Sequence, residues 1–176
     1  AFLLTNSAWI SIALFGSLPF LLSDIEMSFI DAFFESTSGI TTTGATVIEN
    51  LEAKSHGILI WRALLQWLGG VGIIVMALAV LPMLSIGGMQ LFKTESYETP
   101  DKVVPKAASF AAGISIVYIT LTVIWALMLW GAGMPMFDSI AHAMTTLATG
   151  GYSTKSESLA AFNSSNIEII IIFGML

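Results

Sequence analysis

From Ala107 to Trp130 the chain carries no charged side chain, and from Gly57 to Leu81 it carries one, Arg62. An apolar run of about 20 residues is what an α-helix needs to cross the hydrocarbon core of a bilayer. Every backbone N–H and C=O in that core must be satisfied within the chain, so such a run folds as a helix. A third run, Ala1 to Leu22, has the same character with Pro19 near its end, and a fourth starts near Ser165. Composition agrees: 10% of the 176 residues are charged and 56% hydrophobic, where a soluble domain carries about 25% charged residues. The expected fold class is an all-α membrane protein.

Several function classes fall away at this point. With no cysteine in the chain, disulfides, thiol catalysts and cysteine metal sites are excluded. His56 and His142 lie far apart, with no partner at metal-ligand spacing. An intramembrane enzyme needs a nucleophile–base pair or a carboxylate dyad at membrane depth, and the second and third runs hold no acid and no histidine. No enzyme activity, organic cofactor or nucleic-acid partner is therefore expected. Ala1 opens directly into apolar sequence without a basic leader, so no cleavable signal peptide is expected. The last run, Ile167 to Leu176, stops short of a span, and the chain reads as a piece of a longer membrane protein.

The segments between the spans differ in charge. Residues 83–106 hold Lys93, Lys102 and Lys106, whereas 23–56 and 132–163 hold only Lys54 and Lys155. The positive-inside rule makes 83–106 cytoplasmic and turns the other two outward, as alternation of the spans also requires. Each outward segment contains an apolar stretch too short to cross, SFIDAFFESTSG (Ser28 to Gly39) and MFDSIAHAMTTL (Met136 to Leu147). Each predicts a short helix. Ser28 is a natural N-cap with Asp31 three residues on, and Pro135 with Asp138 suits the start of the second.

Each short helix runs into a polar knot, TTTGAT (Thr41 to Thr46) and ATGGYST (Ala148 to Thr154). As a bare motif TTTGAT is an ordinary threonine-rich turn. It lacks the GxxxxGK[ST] pattern of a phosphate loop and is no dinucleotide fingerprint. Its setting is what distinguishes it, because irregular backbone at membrane depth is tolerated only where it is buried in protein or lines a watery cavity. A shift of 107 residues places Asp31 on Asp138, Thr42 on Thr149 and Gly44 on Gly151. With the matching order of elements, this predicts a duplicated unit: 1–82, a connecting segment 83–106, and 107–176 with its last helix truncated.

The residue types fit a cation. A dehydrated alkali ion must recover the oxygens it held in water, and a ring of backbone carbonyls supplies them. Threonine favours extended backbone and glycine permits the dihedrals that turn a carbonyl toward an axis. A short helix ahead of the loop directs the negative end of its dipole, roughly −0.5 charge, at the ion. The outward segments hold eight acidic residues (Asp24, Glu26, Asp31, Glu35, Glu49, Glu52, Asp138 and Glu157) against Lys54 and Lys155. Such an excess raises cation concentration at a mouth, although Glu49, Glu52 and Glu157 also read as solvated loop residues and Asp31 and Asp138 as helix-start residues.

The runs DAFFESTSGITTTGATVIENL, WRALLQWLGGVGIIVMALAVLPMLSIGGMQLF and FDSIAHAMTTLATGGYST resemble the Trk-type potassium uptake proteins of the Trk/Ktr/HKT superfamily, across nearly the whole chain. The resemblance implies four helix–pore loop–helix units around one pseudo-fourfold pore, of which this chain holds one and most of a second. It implies potassium uptake across the bacterial cytoplasmic membrane, with K+ held by backbone carbonyls at Thr42, Thr43, Gly44, Thr149, Gly150 and Gly151. Gly150 and Gly151 compete for the key glycine of the second loop, and the offset favours Gly151. It further implies a cytosolic nucleotide-binding regulatory subunit of the TrkA type, near which SIGGMQLFKTESYETPDK would lie unless that segment is a plain solvated linker, and a homodimer of the complete protein. Half a ring selects no ion, so this function belongs to the complete protein. The alternatives are a broken-helix carrier, which expects units in inverted orientation, and a non-conducting structural membrane subunit.

Smaller expectations attach to single residues. Arg62 either pairs with Glu35 or snorkels to the interface. His142 is expected to be a packed or interfacial side chain rather than a ligand. Gly69, Gly70 and Gly72 in WLGGVG point to close helix packing or a local bend, with packing favoured. Trp61, Trp67, Trp125 and Trp130 are interface anchors or packed side chains.

Overall fold

The structure is a computed structural model that describes residues 2–80 and 103–176. Six α-helices follow in order: α1 (Phe2–Leu21), α2 (Phe29–Ile40), α3 (His56–Val80), α4 (Val103–Gly131), α5 (Met136–Leu147) and α6 (Ser165–Met175). Short 3-10 turns stand at Leu51–Ala53 and Ser158–Phe162, and no strand occurs among the described residues. The lysine-bearing connection expected on the cytoplasmic side lies outside the described residues over 81–102. Within the described residues, His56–Ile74 and Ala112–Gly131 are long and apolar enough to cross a membrane.

The short helices form where their caps predict. Ser28 Oγ accepts the Asp31 N–H at the start of α2 and donates in turn to the Asp31 carboxylate. Pro135 stands at the N-cap of α5, with Asp138 in its first turn. The helices span Phe29–Ile40 and Met136–Leu147, the same offset of 107 that aligns the two sequences.

Packing brings the two short helices together along α3, which touches both α2 and α5. One core gathers Phe20, Ala32, Ile58, Leu59 and Leu65 under Ile48 and Leu51. A second gathers Leu129, Met134, Ala143, Ile167 and Ile171. Ala63 of α3 meets Ala141 and Met144 of α5 between them. Small residues are what such a seam requires, because helices in lipid associate by close van der Waals contact. A Cβ on Gly69 would overlap the carbonyl oxygen of Ile40, and one on Gly70 would stand 2.8 Å from Tyr118 Oη and 3.0 Å from Ala148 Cα. Both glycines are therefore packing positions.

Of Trp61, Trp67, Trp125 and Trp130, three point inward. Trp61 Nε1 donates to the Gly16 carbonyl at 2.9 Å, Trp67 Nε1 to Thr122 Oγ1 at 2.9 Å and Trp125 Nε1 to the Ile170 carbonyl at 3.0 Å. Trp130 is exposed at the end of α4, on a helix whose Ile116, Val117, Val123 and Leu127 also face outward. That is the apolar surface a bilayer would cover.

Candidate functional site

Both short helices end in the same way. After α2 the Thr42 N–H donates to the Gly39 carbonyl and the Thr43 N–H to the Ser38 carbonyl. After α5 the Thr149 N–H donates to the Thr146 carbonyl and the Gly150 N–H to the Thr145 carbonyl. This is the Schellman arrangement, whose C′ residue adopts the left-handed conformation and is usually glycine. Here it is threonine in both loops, with φ of 56° at Thr42 and 51° at Thr149. A β-branched residue in that region is strained, by roughly 1–2 kcal/mol. Two residues on, Gly44 has φ of 79° and Gly151 of 82°. The backbone therefore repeats threonine–X–glycine with the same handedness at both places.

The loops also touch. A Cβ at Gly44 would overlap the carbonyl oxygen of Gly150, so main chain meets main chain there. Ser38 Oγ donates to the Ala45 carbonyl at 2.5 Å and pins the rising strand of the first loop to its helix. Thr42, Gly44 and Ser153 are half-buried, Thr43 and Thr149 are exposed, and Gly150 is buried. The Gly150 oxygen accepts from Gln66 Nε2 at 2.9 Å.

Behind each loop stands one polar side chain of the short helix. Glu35 accepts the Thr46 hydroxyl at 2.9 Å and the Val47 N–H at 3.1 Å. His142, the residue 107 positions later, faces Ser153 Oγ through Nε2 at 3.0 Å. His142 Nδ1 lies 2.8 Å from the Asp138 carbonyl, which can only accept, so Nδ1 carries the proton and Nε2 accepts from Ser153. Thr46 and Ser153 each take an N–H from two residues further on, Ile48 and Lys155. The brace is the same at both loops and its chemistry differs. His142 is packed, 2% exposed. Asp138 does more than start a helix, because its Oδ1 accepts the Thr154 hydroxyl at 2.7 Å.

The two open readings of Arg62 separate cleanly. Its Nε lies 2.7 Å from Glu35 Oε1, and the two side chains are 1% and 0% exposed. Nη1 donates to the Ser153 carbonyl at 3.0 Å, and the guanidinium carbon stands 4.1 Å from the centre of the Tyr152 ring. Arg62 does not snorkel. Its charge also cancels that of Glu35, so Glu35 drops out of the acidic field counted from sequence.

Two contributors escaped the sequence reading. Gln66, one turn beyond Arg62 and fully buried, donates to the Gly150 carbonyl and accepts the Tyr152 N–H at 3.1 Å. A buried amide in an apolar span is the signal that marks it. Tyr152 reaches back across the seam, its hydroxyl donating to the Glu35 carbonyl at 2.9 Å. The segments that follow the two loops are tied as well. Glu52 accepts the Ser156 N–H and hydroxyl, both at 2.7 Å, while Ser156 Oγ accepts the Leu51 N–H at 3.1 Å. The bonds from Ser156 hold the Glu52 carboxyl below its ordinary pKa of 4.5. Glu52 is thus more than a solvated loop residue.

Two short helices, each capped into a threonine–glycine loop and held among membrane-length helices, define an all-helical membrane protein of the pore-loop class. Residues 1–176 match the TrkH family, described as cation transport protein, and the chain belongs to that family. The Trk system potassium uptake protein TrkH of Salmonella typhimurium is 45% identical over 178 residues, covering 99% of this chain and 37% of that protein. The Trk system potassium uptake protein TrkI of Halomonas elongata is 44% identical over 161 residues, covering 92% and 33%. The crystal structure of the potassium transporter TrkH from Vibrio parahaemolyticus matches with a TM-score of 0.85 at 42% identity, covering 98% of this chain and 34% of that one. The chain spans about a third of the length of these relatives.

Proposed function

We propose that the complete protein takes up potassium across the bacterial cytoplasmic membrane through a pore, and that this chain supplies two of its filter segments. The ion would be held by main-chain oxygens at Thr42, Thr43, Gly44, Thr149, Gly150 and Gly151. One observation carries the reading: two strained threonine–X–glycine turns of matching backbone meet where a Gly44 Cβ would strike the Gly150 oxygen. Carbonyl groups fixed in that manner can replace a hydration shell without reorganising. The names of the relatives, potassium uptake proteins of the Trk system, support potassium as the cargo.

The units 1–82 and 107–176 are read as two parallel quarters of a ring, with 83–106 as their cytoplasmic connection and the loops facing outward. The segments that follow the two loops are bonded to each other, which fits parallel units and speaks against the inverted repeats of a broken-helix carrier. A cytosolic nucleotide-binding subunit of the TrkA type and a homodimeric assembly belong to the same proposal. Rubidium and sodium uptake by the complete protein, in cells stripped of their own potassium uptake, is the test. Preferred uptake of rubidium, with that preference reduced by Gly44→Ser, is expected. No rubidium flux above background, or an undiminished preference in the variant, would overturn the proposal.

A further inference from the structure

We infer that Gln66 is a positioning residue for ion discrimination, a clamp by which the first unit sets the peptide planes of the second unit's loop. The inference rests on the pore reading above and names a determinant within it. A primary amide offers donor and acceptor side by side, and both are used on one short stretch of main chain. Nε2 donates to the Gly150 oxygen at 2.9 Å and Oε1 accepts the Tyr152 N–H at 3.1 Å. The side chain thus pairs with residues 150 and 152 as a neighbouring strand would, and Gly151 with its φ of 82° lies between the two anchors. Neither flanking peptide can rotate without breaking one of the bonds.

Space enforces the same orientation. A Cβ on Gly150 would overlap the Gln66 amide, so the amide fills the volume behind the loop. Gln66 itself is fully buried, and no water can take over a bond that it loses at low cost. Arg62, on the same face of α3 one turn earlier, continues the contact by donating to the Ser153 carbonyl. Two side chains of the first unit therefore address main-chain groups of residues 150, 152 and 153 in the second. The arrangement does not depend on charge, because Gln66 is neutral. What it fixes is the direction of carbonyls, the property on which ion discrimination by a carbonyl filter depends.

Two variants separate positioning from folding in the complete protein. Gln66→Met keeps the volume and removes both bonds. Gln66→Glu keeps the acceptor for Tyr152 but sets a carboxylate oxygen against the Gly150 oxygen. Rubidium and sodium uptake are measured together with the amount of protein in the membrane. A fall of about fivefold or more in the rubidium-to-sodium ratio is expected in each, the size of effect that an orphaned buried group produces. Lower uptake of both ions at an unchanged ratio would mark Gln66 as merely structural and overturn the inference. If Gln66→Met fails to accumulate, the ratio in Gln66→Glu decides by the same criterion. Wild-type protein that carries neither ion would sink the pore reading alone. Hydrogen exchange at the Tyr152 amide then decides, since equal protection in wild type and Gln66→Met refutes the clamp and loss of protection in the variant supports it.

Discussion

Arg62 of α3 and Glu35 of α2 form a buried ion pair, Nε to Oε1 at 2.7 Å, directly behind the first loop. Breaking a buried pair by removing one partner leaves an uncompensated charge and costs about 3–5 kcal/mol. Glu35→Leu and Arg62→Leu should each lower the thermal unfolding midpoint of the purified complete protein markedly. The double variant should lose less than the sum of the two, since neither charge is then orphaned. Each single change also frees other partners, the Ser153 carbonyl and the Tyr152 ring for Arg62→Leu and the Thr46 hydroxyl and Val47 N–H for Glu35→Leu. Singles with wild-type midpoints would contradict this arrangement.

The two key glycines are equivalent in backbone and unequal in surroundings. Gly44 and Gly151 both have φ near +80°, so alanine at either is strained by roughly 1–2 kcal/mol. Only at Gly44 would the new Cβ also meet the Gly150 oxygen, whereas nothing lies within 4 Å of one at Gly151. Gly151→Ala should therefore leave an assembled protein with a small loss of stability. Gly44→Ala should lose distinctly more, together with rubidium-over-sodium preference. Matched thermal unfolding of the two variants would refute the loop-to-loop contact.

Much of this was legible in the sequence, and the reasons differ by element. The spans follow from apolar runs, because lipid enforces helical backbone wherever charge is absent. The short helices follow from Ser28 with Asp31 and from Pro135 with Asp138, whose local chemistry sets a helix start. The 107-residue offset that pairs Gly44 with Gly151 is the spacing at which the left-handed turns recur. What could not be read was the partner of each polar side chain across the seam. Gln66 meets Gly150 over a separation of 84 residues and Glu52 meets Ser156 over 104, and no local pattern encodes such contacts. The choice between pairing and snorkelling for Arg62 likewise depended on where α2 packs.

Close helix approach yields a prediction with its own control. Gly69→Ala would drive a methyl group into the Ile40 carbonyl where α3 meets the end of α2, while a Cβ at Gly131 meets nothing within 4 Å. Overpacking of this kind costs about 1–3 kcal/mol. The amount of folded complete protein recovered from membranes should fall for Gly69→Ala and stay at the wild-type level for Gly131→Ala. Equal recovery would rule out the tight crossing.

Glu52 holds the segments that follow the two loops together through Ser156. A carboxyl whose folded pKa is lowered contributes its stabilisation above its unfolded value, here 4.5, and loses it as pH falls through the lower folded value. Acidification from 4.5 through that lower value should therefore reduce the protection of the Ser156 amide, taken as its exchange rate relative to the intrinsic rate at each pH. Glu52→Gln should show reduced protection already at neutral pH, and little further change in protection on acidification. Protection indifferent to both would remove this tie from the structure.

Rubidium diffraction bears most directly on the central proposal. Crystals of the complete protein grown in rubidium, with data collected at the rubidium edge, should show an anomalous peak between the two loops. Its nearest protein atoms should be main-chain oxygens of Thr42, Thr43 and Gly44 on one side and of Thr149, Gly150 and Gly151 on the other. Rubidium-transporting protein whose crystals show no peak at these oxygens, or a peak held only by side chains elsewhere, would contradict the assignment.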